Sequence, residues 1–228
     1  MSNISTRKTR RGVIGIESAI VMIAFVIVAA ALAFVVLNMG FSTTQKSKVA
    51  ITSSVTEASS ALEIAGKVTA VGDVATGYLN ATAIPLKIAG GGDSVNLDPA
   101  NVAIKYYSSS VSYDNIYPVS CILTSTTYAN LTLAMAAATP GCISANAITS
   151  NTSPTSTQAF IYWTVSKQNP PNKILETGEN AVLAIAYDQT DKPTALDHLK
   201  VEVIVPTGSA LTVERTVPSV TTSVVDLG

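Results

Sequence analysis

The feature that most constrains this chain is a run of nineteen consecutive apolar residues, from Ala19 to Leu37. A helix of that length spans about 28 Å at 1.5 Å per residue, which matches the hydrocarbon thickness of a bilayer. Basic residues, which stay on the cytoplasmic side of a membrane, precede the run at Arg7, Lys8, Arg10 and Arg11. The sequence therefore predicts a precursor that inserts into a membrane.

Three interpretations of this apolar run differ in where the chain is cleaved. An ordinary secretory signal would be removed after the A-x-A pattern at residues 31–33, but its apolar region would be unusually long. A permanent membrane anchor explains the length of the apolar run. It gives no role to Gly12 at the end of the basic cluster or to Glu17 within the otherwise apolar segment. Cleavage between Gly12 and Val13 keeps the helix in the mature protein, and we favour this third interpretation.

The helical pattern continues beyond the apolar run. Apolar residues recur there at alternating steps of four and three, a heptad pattern, and no proline interrupts it. We predict one helix from about residue 13 to about residue 71, on the order of 88 Å long, with stop signals at Gly72 and Gly77. Such a helix needs lipid or copies of itself, so we expect it to form a bundle. Its expected packing residues are Phe25, Phe34, Leu37, Phe41, Ile51, Val55, Ala58, Leu62 and Ala65.

Glu17 is a charged residue within this segment, and a charge at the centre of a bilayer costs about 2.5–3.5 kcal/mol. After cleavage, the α-amino group of Val13 would lie four residues before Glu17. Pairing of this amine with the carboxylate, within one chain or between neighbours, would set the axial register of a polymer. Alternatively, Glu17 lies at the headgroup boundary, where the helix dipole favours a carboxylate in the first turn. Both roles remain open at this stage.

Beyond Gly77 the composition changes to Val, Ile, Thr, Ser and Tyr, with frequent turn residues. Several segments alternate apolar and polar residues as strands do: NVAIKYY, AFIYWTVSK, AVLAIAY, HLKVEVIVP and ALTVERTV. Since no amphipathic helix separates them, we predict an antiparallel sandwich or barrel. A short helix is predicted at residues 132–141.

The predicted fold class is therefore α+β, with a long N-terminal hydrophobic and amphipathic α-helix followed by an all-β antiparallel sandwich or barrel domain. The predicted domain organisation is a basic leader at residues 1–12, the helix at 13–71, a hinge at 72–77 and a β-rich domain at 78–228.

Little in the sequence indicates binding chemistry or catalysis. Downstream of Gly12, ten basic residues stand against fifteen acidic ones, a formal net charge of −5 that offers no basic surface for nucleic acid. His198 is the one histidine and lies at the start of an apparent strand, where a structural role is expected. Gly90–Gly92 lack the Lys-Ser/Thr pair of a phosphate-binding loop. We therefore expect no active site, metal site or cofactor.

Two kinds of covalent modification are predicted for an exported chain. The sequons at Asn80, Asn130 and Asn151 are candidate glycan acceptors. Cys121 and Cys142 enclose a loop of twenty residues. In an oxidising exterior these cysteines would form a disulfide worth roughly 3 kcal/mol by the loop-entropy model. The alternative is two separate buried thiols.

The segment KTRRGVIGIESAIVMIAFVIVAAALAFVVLNMGFSTTQK resembles the amino terminus of archaeal flagellins, the archaellins of the type IV pilin-like superfamily. The resemblance covers roughly residues 7–70, and SALTVERTVPSV near the other end is similar to the closing strands of the family. It implies that a prepilin peptidase cuts between Gly12 and Val13. It also implies an extracellular filament with hydrophobic helices at its centre and β-rich domains as its outer sheath.

From this resemblance we expect a structural subunit that polymerises with itself, or together with related archaellins, and is rotated by a membrane-embedded motor for swimming. One alternative is an archaeal type IV adhesive pilin, which would leave swimming intact when the motor ATPase is mutated. The other is a membrane-anchored surface binding protein that never polymerises. Amino-terminal sequencing of the extracellular material separates this last possibility from the first two.

Overall fold

The computed structural model describes residues 11–59, 62–149 and 152–228, with the backbone alone given for residues 11–14 and 56–59. The chain divides between Ser53 and Ser54 into two compact units. The described residues of the first are helical, and the second, which contains every described strand, is rich in β-structure. We call them the helical unit and the β unit.

Helix α1 (Arg11–Ser59) is 49 residues long, about 74 Å at 1.5 Å per residue. It contains no proline, and apolar residues, most often Val, Ile and Ala, dominate its first thirty positions. The described side chains from Gly15 to Val55 are all exposed, and this stretch is long and apolar enough to cross a membrane. A helix that is apolar on every side is stable only in lipid or against other protein.

The prediction that this helix continues to about residue 71 is wrong. The helix ends at Ser59, and strand β1 (Leu62–Ile64) follows within three residues. Leu62, predicted as a helix-packing residue, instead pairs with Ile88 and is 6% exposed. Ala65 lies just after β1, and its N–H donates to the carbonyl of Pro85 at 2.8 Å. These backbone bonds to a neighbouring strand outweigh the heptad spacing that suggested a helix.

The β unit contains thirteen strands and one short helix among its described residues, in addition to the end of α1. Helix α2 (Leu131–Ala138) corresponds to the short helix predicted at residues 132–141. The strands after β1 are β2 (Thr69–Asp73), β3 (Tyr78–Ile88), β4 (Val95–Asn96), β5 (Ala103–Tyr107), β6 (Ser112–Tyr113), β7 (Ile122–Leu123), β8 (Gln158–Val165), β9 (Ile174–Leu175), β10 (Asn180–Ala186), β11 (His198–Ile204), β12 (Leu211–Thr216) and β13 (Val224–Asp226). Strand β2 thus occupies part of the predicted hinge.

Two sheets account for most of these strands. The larger has the order β13-β2-β3-β10-β8-β7, and β1 pairs with the far end of β3. The smaller has the order β12-β11-β5-β6, while β4 and β9 form a separate pair. Every described strand pair is antiparallel except β7 with β8. The predicted architecture, a long apolar helix followed by a mostly antiparallel β domain, is confirmed.

The core of the β unit lies between the two sheets. Tyr106 on β5 of the smaller sheet packs against Tyr187, which follows β10 of the larger sheet, with ring centroids 5.6 Å apart. Strand β11 alternates as the sequence predicts, with Leu199, Val201 and Val203 buried. Strands β3 and β10 lie inside the larger sheet, with another strand on each side. Most of their residues are buried on both faces of the sheet. The β unit therefore has a hydrophobic core of its own.

Candidate assembly site

Large apolar side chains cover α1 on every side. The predicted packing residues in this part of the helix have exposed fractions between 59% and 72%: Phe25, Phe34, Leu37, Phe41, Ile51 and Val55. Burying one such side chain contributes about 1.5–3 kcal/mol, so the surface as a whole strongly favours association. The side chain of Ala58 lies outside the described residues, and Leu62 and Ala65 belong to the β unit.

A polar segment interrupts the apolar surface of the helix at Ser42–Lys48, seven consecutive residues that we call the polar belt. Within it, the hydroxyl of Thr44 donates to the carbonyl of Gly40 at 2.8 Å, so this hydroxyl is satisfied inside the helix. The segment Gly15–Val55 contains three charged residues in all: Glu17, Lys46 and Lys48. The ion pairs found among the described residues all join side chains of the β unit.

The predicted processing site falls at the start of α1. Arg11, Gly12 and Val13 lie in its first turn, where the backbone alone is described. The other basic leader residues, Arg7, Lys8 and Arg10, lie outside the described residues.

The three predicted glycan acceptors differ in their exposure to solvent. Asn80 on β3 is 5% exposed, and a glycan cannot be accommodated at a side chain buried in the centre of a sheet. Its prediction as a glycan acceptor is therefore wrong for the folded chain. Asn130 is exposed and caps α2, where its Oδ1 accepts a hydrogen bond from the N–H of Leu133 at 2.9 Å. Asn151 lies outside the described residues.

Cys121 and Cys142 form a disulfide, with their Cα atoms 4.9 Å apart. The bond joins the residue before β7 to the segment after α2, and Met135 of α2 is fully buried in the core. The structure thus contains the disulfide rather than two separate thiols. It joins the start of β7 to a point within the segment that leaves the larger sheet at β7 and returns at β8.

His198 takes part in a cross-strand contact. It lies opposite Thr216 in the register of β11 and β12, and its Nδ1 is 3.1 Å from the Thr216 hydroxyl. Within the described ranges, no group of three or more His, Cys, Asp or Glu side chains is placed to hold a metal ion.

Two structural contacts of acidic residues were not predicted from the sequence. Glu179 is 1% exposed, and its carboxylate accepts hydrogen bonds from the Lys167 N–H at 2.7 Å and the Glu176 N–H at 2.9 Å. These bonds fold the loop between β8 and β10. Asp226 on β13 forms an ion pair with Lys67 just before β2. No motif surrounds either acid in the sequence, and only the fold brings Lys167 to Glu179 and Lys67 to Asp226.

Comparison with known proteins then identifies the family. The model of the archaeal-type flagellin family matches residues 12–215. The protein named Probable flagellin 1 from Aeropyrum pernix is 38% identical over 216 residues, which cover 93% of this chain and 94% of that protein. The chain belongs to the archaeal-type flagellin family. The predicted resemblance is confirmed, and it extends from the helix through most of the β unit of the flagellin.

The fold of the flagellin is similar to two solved structures. One chain of the archaeal flagellum of Methanospirillum hungatei gives a TM-score of 0.58 at 22% identity, covering 92% of the flagellin and 98% of that chain. The crystal structure of flagellin FlaB1 from Methanocaldococcus jannaschii gives a TM-score of 0.54 at 17% identity, covering 74% and 96%. Both likenesses confirm the fold described above.

Proposed function

We propose that this flagellin is the structural subunit that polymerises into the helical archaeal flagellum filament used for swimming. The observation that carries the proposal is the complete exposure of an apolar helix in the single chain, from Gly15 to Val55. Packing identical helices side by side removes this surface from water at about 25 cal/mol per Å². Membership of the archaeal-type flagellin family supports the same conclusion.

The two units take different parts in this assembly. The helical unit forms the filament core, since its surface needs a nonaqueous environment. The β unit forms the outer sheath, because it buries its own core and has an outer surface rich in hydroxyl side chains. Among the sequons, Asn130 is suited to carry a glycan: the sugar attaches to Nδ2, while the helix cap uses Oδ1. The subunit itself has no catalytic role.

Before assembly, α1 spans the cell membrane with the basic leader on the cytoplasmic side. A prepilin peptidase then cuts between Gly12 and Val13, and a membrane-embedded complex assembles and rotates the filament, in which related flagellins can mix. In support, the family match begins at Gly12 and so excludes most of the leader. The filament at the cell surface is therefore built from chains that start at Val13.

Amino-terminal sequencing of purified filaments tests this processing. We expect the sequence to start at Val13, and we expect Gly12→Val to leave the precursor uncut in the membrane and to abolish filaments, since the larger side chain obstructs the peptidase. Gly15→Ala is the matched control, because a Cβ at Gly15 has no neighbour within 4 Å; it should be processed normally. Filaments that start at Met1, or a soluble product that starts beyond residue 33, would contradict the proposal.

A further inference from the structure

We propose that Leu196 is an apolar contact through which the β unit of one copy packs against a second copy in the filament. The inference rests on the proposed function, because the contact forms only when subunits assemble. Leu196 lies in the loop between β10 and β11 and is 79% exposed. A single exposed leucine is common at protein surfaces, so the case depends on how the backbone holds this one.

The backbone at Leu196 has a conformation that leucine rarely adopts. Its φ is 71°, in the left-handed region, where the Cβ atom comes too close to the following carbonyl oxygen. Glycine and asparagine occupy this region at lower cost. A loop that only had to reverse the chain would therefore be more stable with one of them at this position. The leucine thus costs folding stability, which is typical of residues at functional contacts.

Hydrogen bonds hold the loop in this conformation. The Leu196 N–H donates to the Val217 carbonyl at 2.8 Å, and the Asp197 N–H donates to the Thr194 carbonyl at 3.2 Å. The Asp197 carboxylate accepts hydrogen bonds from the Thr194 N–H at 2.7 Å and from the Thr194 hydroxyl at 3.0 Å. Because these bonds fix the backbone on both sides of Leu196, its side chain is held outward in the single chain.

Two further apolar side chains are exposed at the same end of the β unit. Tyr78, 38% exposed, lies opposite Thr194 in an isolated β-bridge, two residues from Leu196. Val74, 55% exposed, lies in the turn that leads into β3 at Tyr78. We call Leu196, Tyr78 and Val74 the end patch.

The size of the end patch indicates what covers it. At about 150–250 Å² for a large side chain, the exposed parts of these residues present roughly 300–400 Å². This is half of the about 800 Å² per partner that a stable complex between free proteins buries. A second copy is the suitable partner, because the packing of α1 already holds it nearby at high effective concentration. The end patch then strengthens an existing assembly, although it is too small to dimerise the β unit alone.

Replacement of Leu196 tests the contact, because folding and assembly should respond in opposite directions. We expect Leu196→Asn to raise the melting temperature of the detergent-solubilised chain by about 2–4 °C, since asparagine tolerates the left-handed conformation. The same variant should raise about tenfold the fraction of subunits that purified filaments release on dilution, since an apolar contact is lost. Leu196→Met keeps an apolar side chain and should match the native chain in both measurements. Leu196→Asn filaments as stable as native ones would overturn the proposal.

Leu133→Asn is the matched control for the loss of an exposed leucine. Leu133 is 54% exposed on α2, and its N–H donates to Oδ1 of Asn130, the proposed glycan acceptor. Because a surface that carries a glycan faces solvent, we expect Leu133→Asn filaments to be as stable as native ones. Equal losses in the two asparagine variants would refute a specific contact at Leu196.

Thiol labelling measures the covering of this position directly. Both native cysteines form the disulfide, so Leu196→Cys introduces a single free thiol. We expect a maleimide to modify this thiol about tenfold more slowly in filaments than in detergent-solubilised subunits, since a second copy covers it. Leu133→Cys should react at similar rates in the two states. A thiol at position 196 that reacts equally fast in filaments would also overturn the proposal.

The native chain separates failure of this inference from failure of the proposed function. If the native chain yields no filaments, the proposed function itself is wrong. If native filaments form and the thiol at position 196 stays fully reactive in filaments of the cysteine variant, the contact alone is wrong.

Discussion

Gly72 lies where β2 contacts the segment that leads into β13. A Cβ at this position would overlap Val220 Cγ1 and lie 3.0 Å from Val225 Cγ2, with the Thr222 carbonyl oxygen at 3.2 Å. We therefore expect Gly72→Ala to displace this last segment and to lower the free energy of unfolding by about 1–3 kcal/mol. Chemical denaturation of the detergent-solubilised chain measures the change.

Trp163 is suited to follow this unfolding, because it is the single tryptophan of the chain and is fully buried. Gly66→Ala is the matched control for Gly72→Ala. A Cβ at Gly66 would have Pro85 Cγ as its nearest neighbour, at 4.0 Å, an ordinary van der Waals contact. Equal losses of stability in the two variants would show that the close contact at Gly72 is not the cause.

Asp226 gives the β unit a defined sensitivity to acid. Hydrogen bonds from the Lys67 side chain and from the Gly228 N–H lower the pKa of Asp226 below its ordinary value of 3.8. A carboxylate with a lowered pKa stabilises the folded state above its unfolded pKa, and this stabilisation is lost as the pH falls through the folded pKa. The difference in melting temperature between the native chain and Asp226→Asn should therefore be largest near neutral pH and shrink below about pH 4.

Melting curves at pH 7, 5 and 3, followed by Trp163 fluorescence, test this dependence. Asp114→Asn serves as the control, because the Asp114 side chain is 93% exposed and 3.9 Å from its nearest cation. We expect a small effect of Asp114→Asn at every pH. A difference for Asp226→Asn that grows toward pH 3 would contradict the assignment of its partner.

At the scale of elements, the disulfide holds α2 and its flanking loops to the larger sheet. The bond encloses a loop of twenty residues between Cys121 and Cys142, which corresponds to about 3 kcal/mol by the loop-entropy model. We expect a reductant to lower the unfolding free energy of the native chain by about that amount. The variant with both cysteines replaced by alanine should be equally destabilised and insensitive to reductant. A native chain whose stability is unchanged by reductant would refute this role.

The strands that could be predicted from the sequence lie in apolar-rich segments bounded by turn residues. Strands β5, β8, β10, β11 and β12 coincide with the five predicted segments, although β8 and β10 prove to be buried on both faces. Strand β3 was not predicted, and its Pro85 is atypical of a central strand.

Prediction of the helix end failed for a related reason. The residues Leu62 and Ala65 fit the heptad spacing, and the chain after Ser59 has no proline or glycine before Gly66. Whether such a segment is helix or strand depends on its long-range pairing with β3, which local spacing does not contain. The assembly helix could be predicted because its apolar run is a property of the local sequence. The burial of Asn80 could not be predicted, because it depends on the position of β3 within the sheet.

At the scale of the whole molecule, the division into two units separates folding from assembly. Every buried apolar residue among the described positions lies between Leu62 and Leu227, so the β unit needs no contact with α1 for its core. The helical unit contributes the exposed apolar surface that drives association. We therefore expect a chain that begins at Ser54 to be a soluble monomer, whereas the full chain requires detergent or assembles into filaments.

Analytical ultracentrifugation and Trp163 fluorescence of the shortened chain check this expectation together. The sedimentation should be that of a monomer, and unfolding should be cooperative, because the buried environment of Trp163 on β8 is built by residues of the β unit. Removal of α1 eliminates apolar surface that gains about 25 cal/mol per Å² when buried, so no filament should pellet under conditions that pellet the native one. Filaments from the shortened chain would place the assembly surface on the β unit, and an unfolded shortened chain would mean that α1 is needed for folding as well.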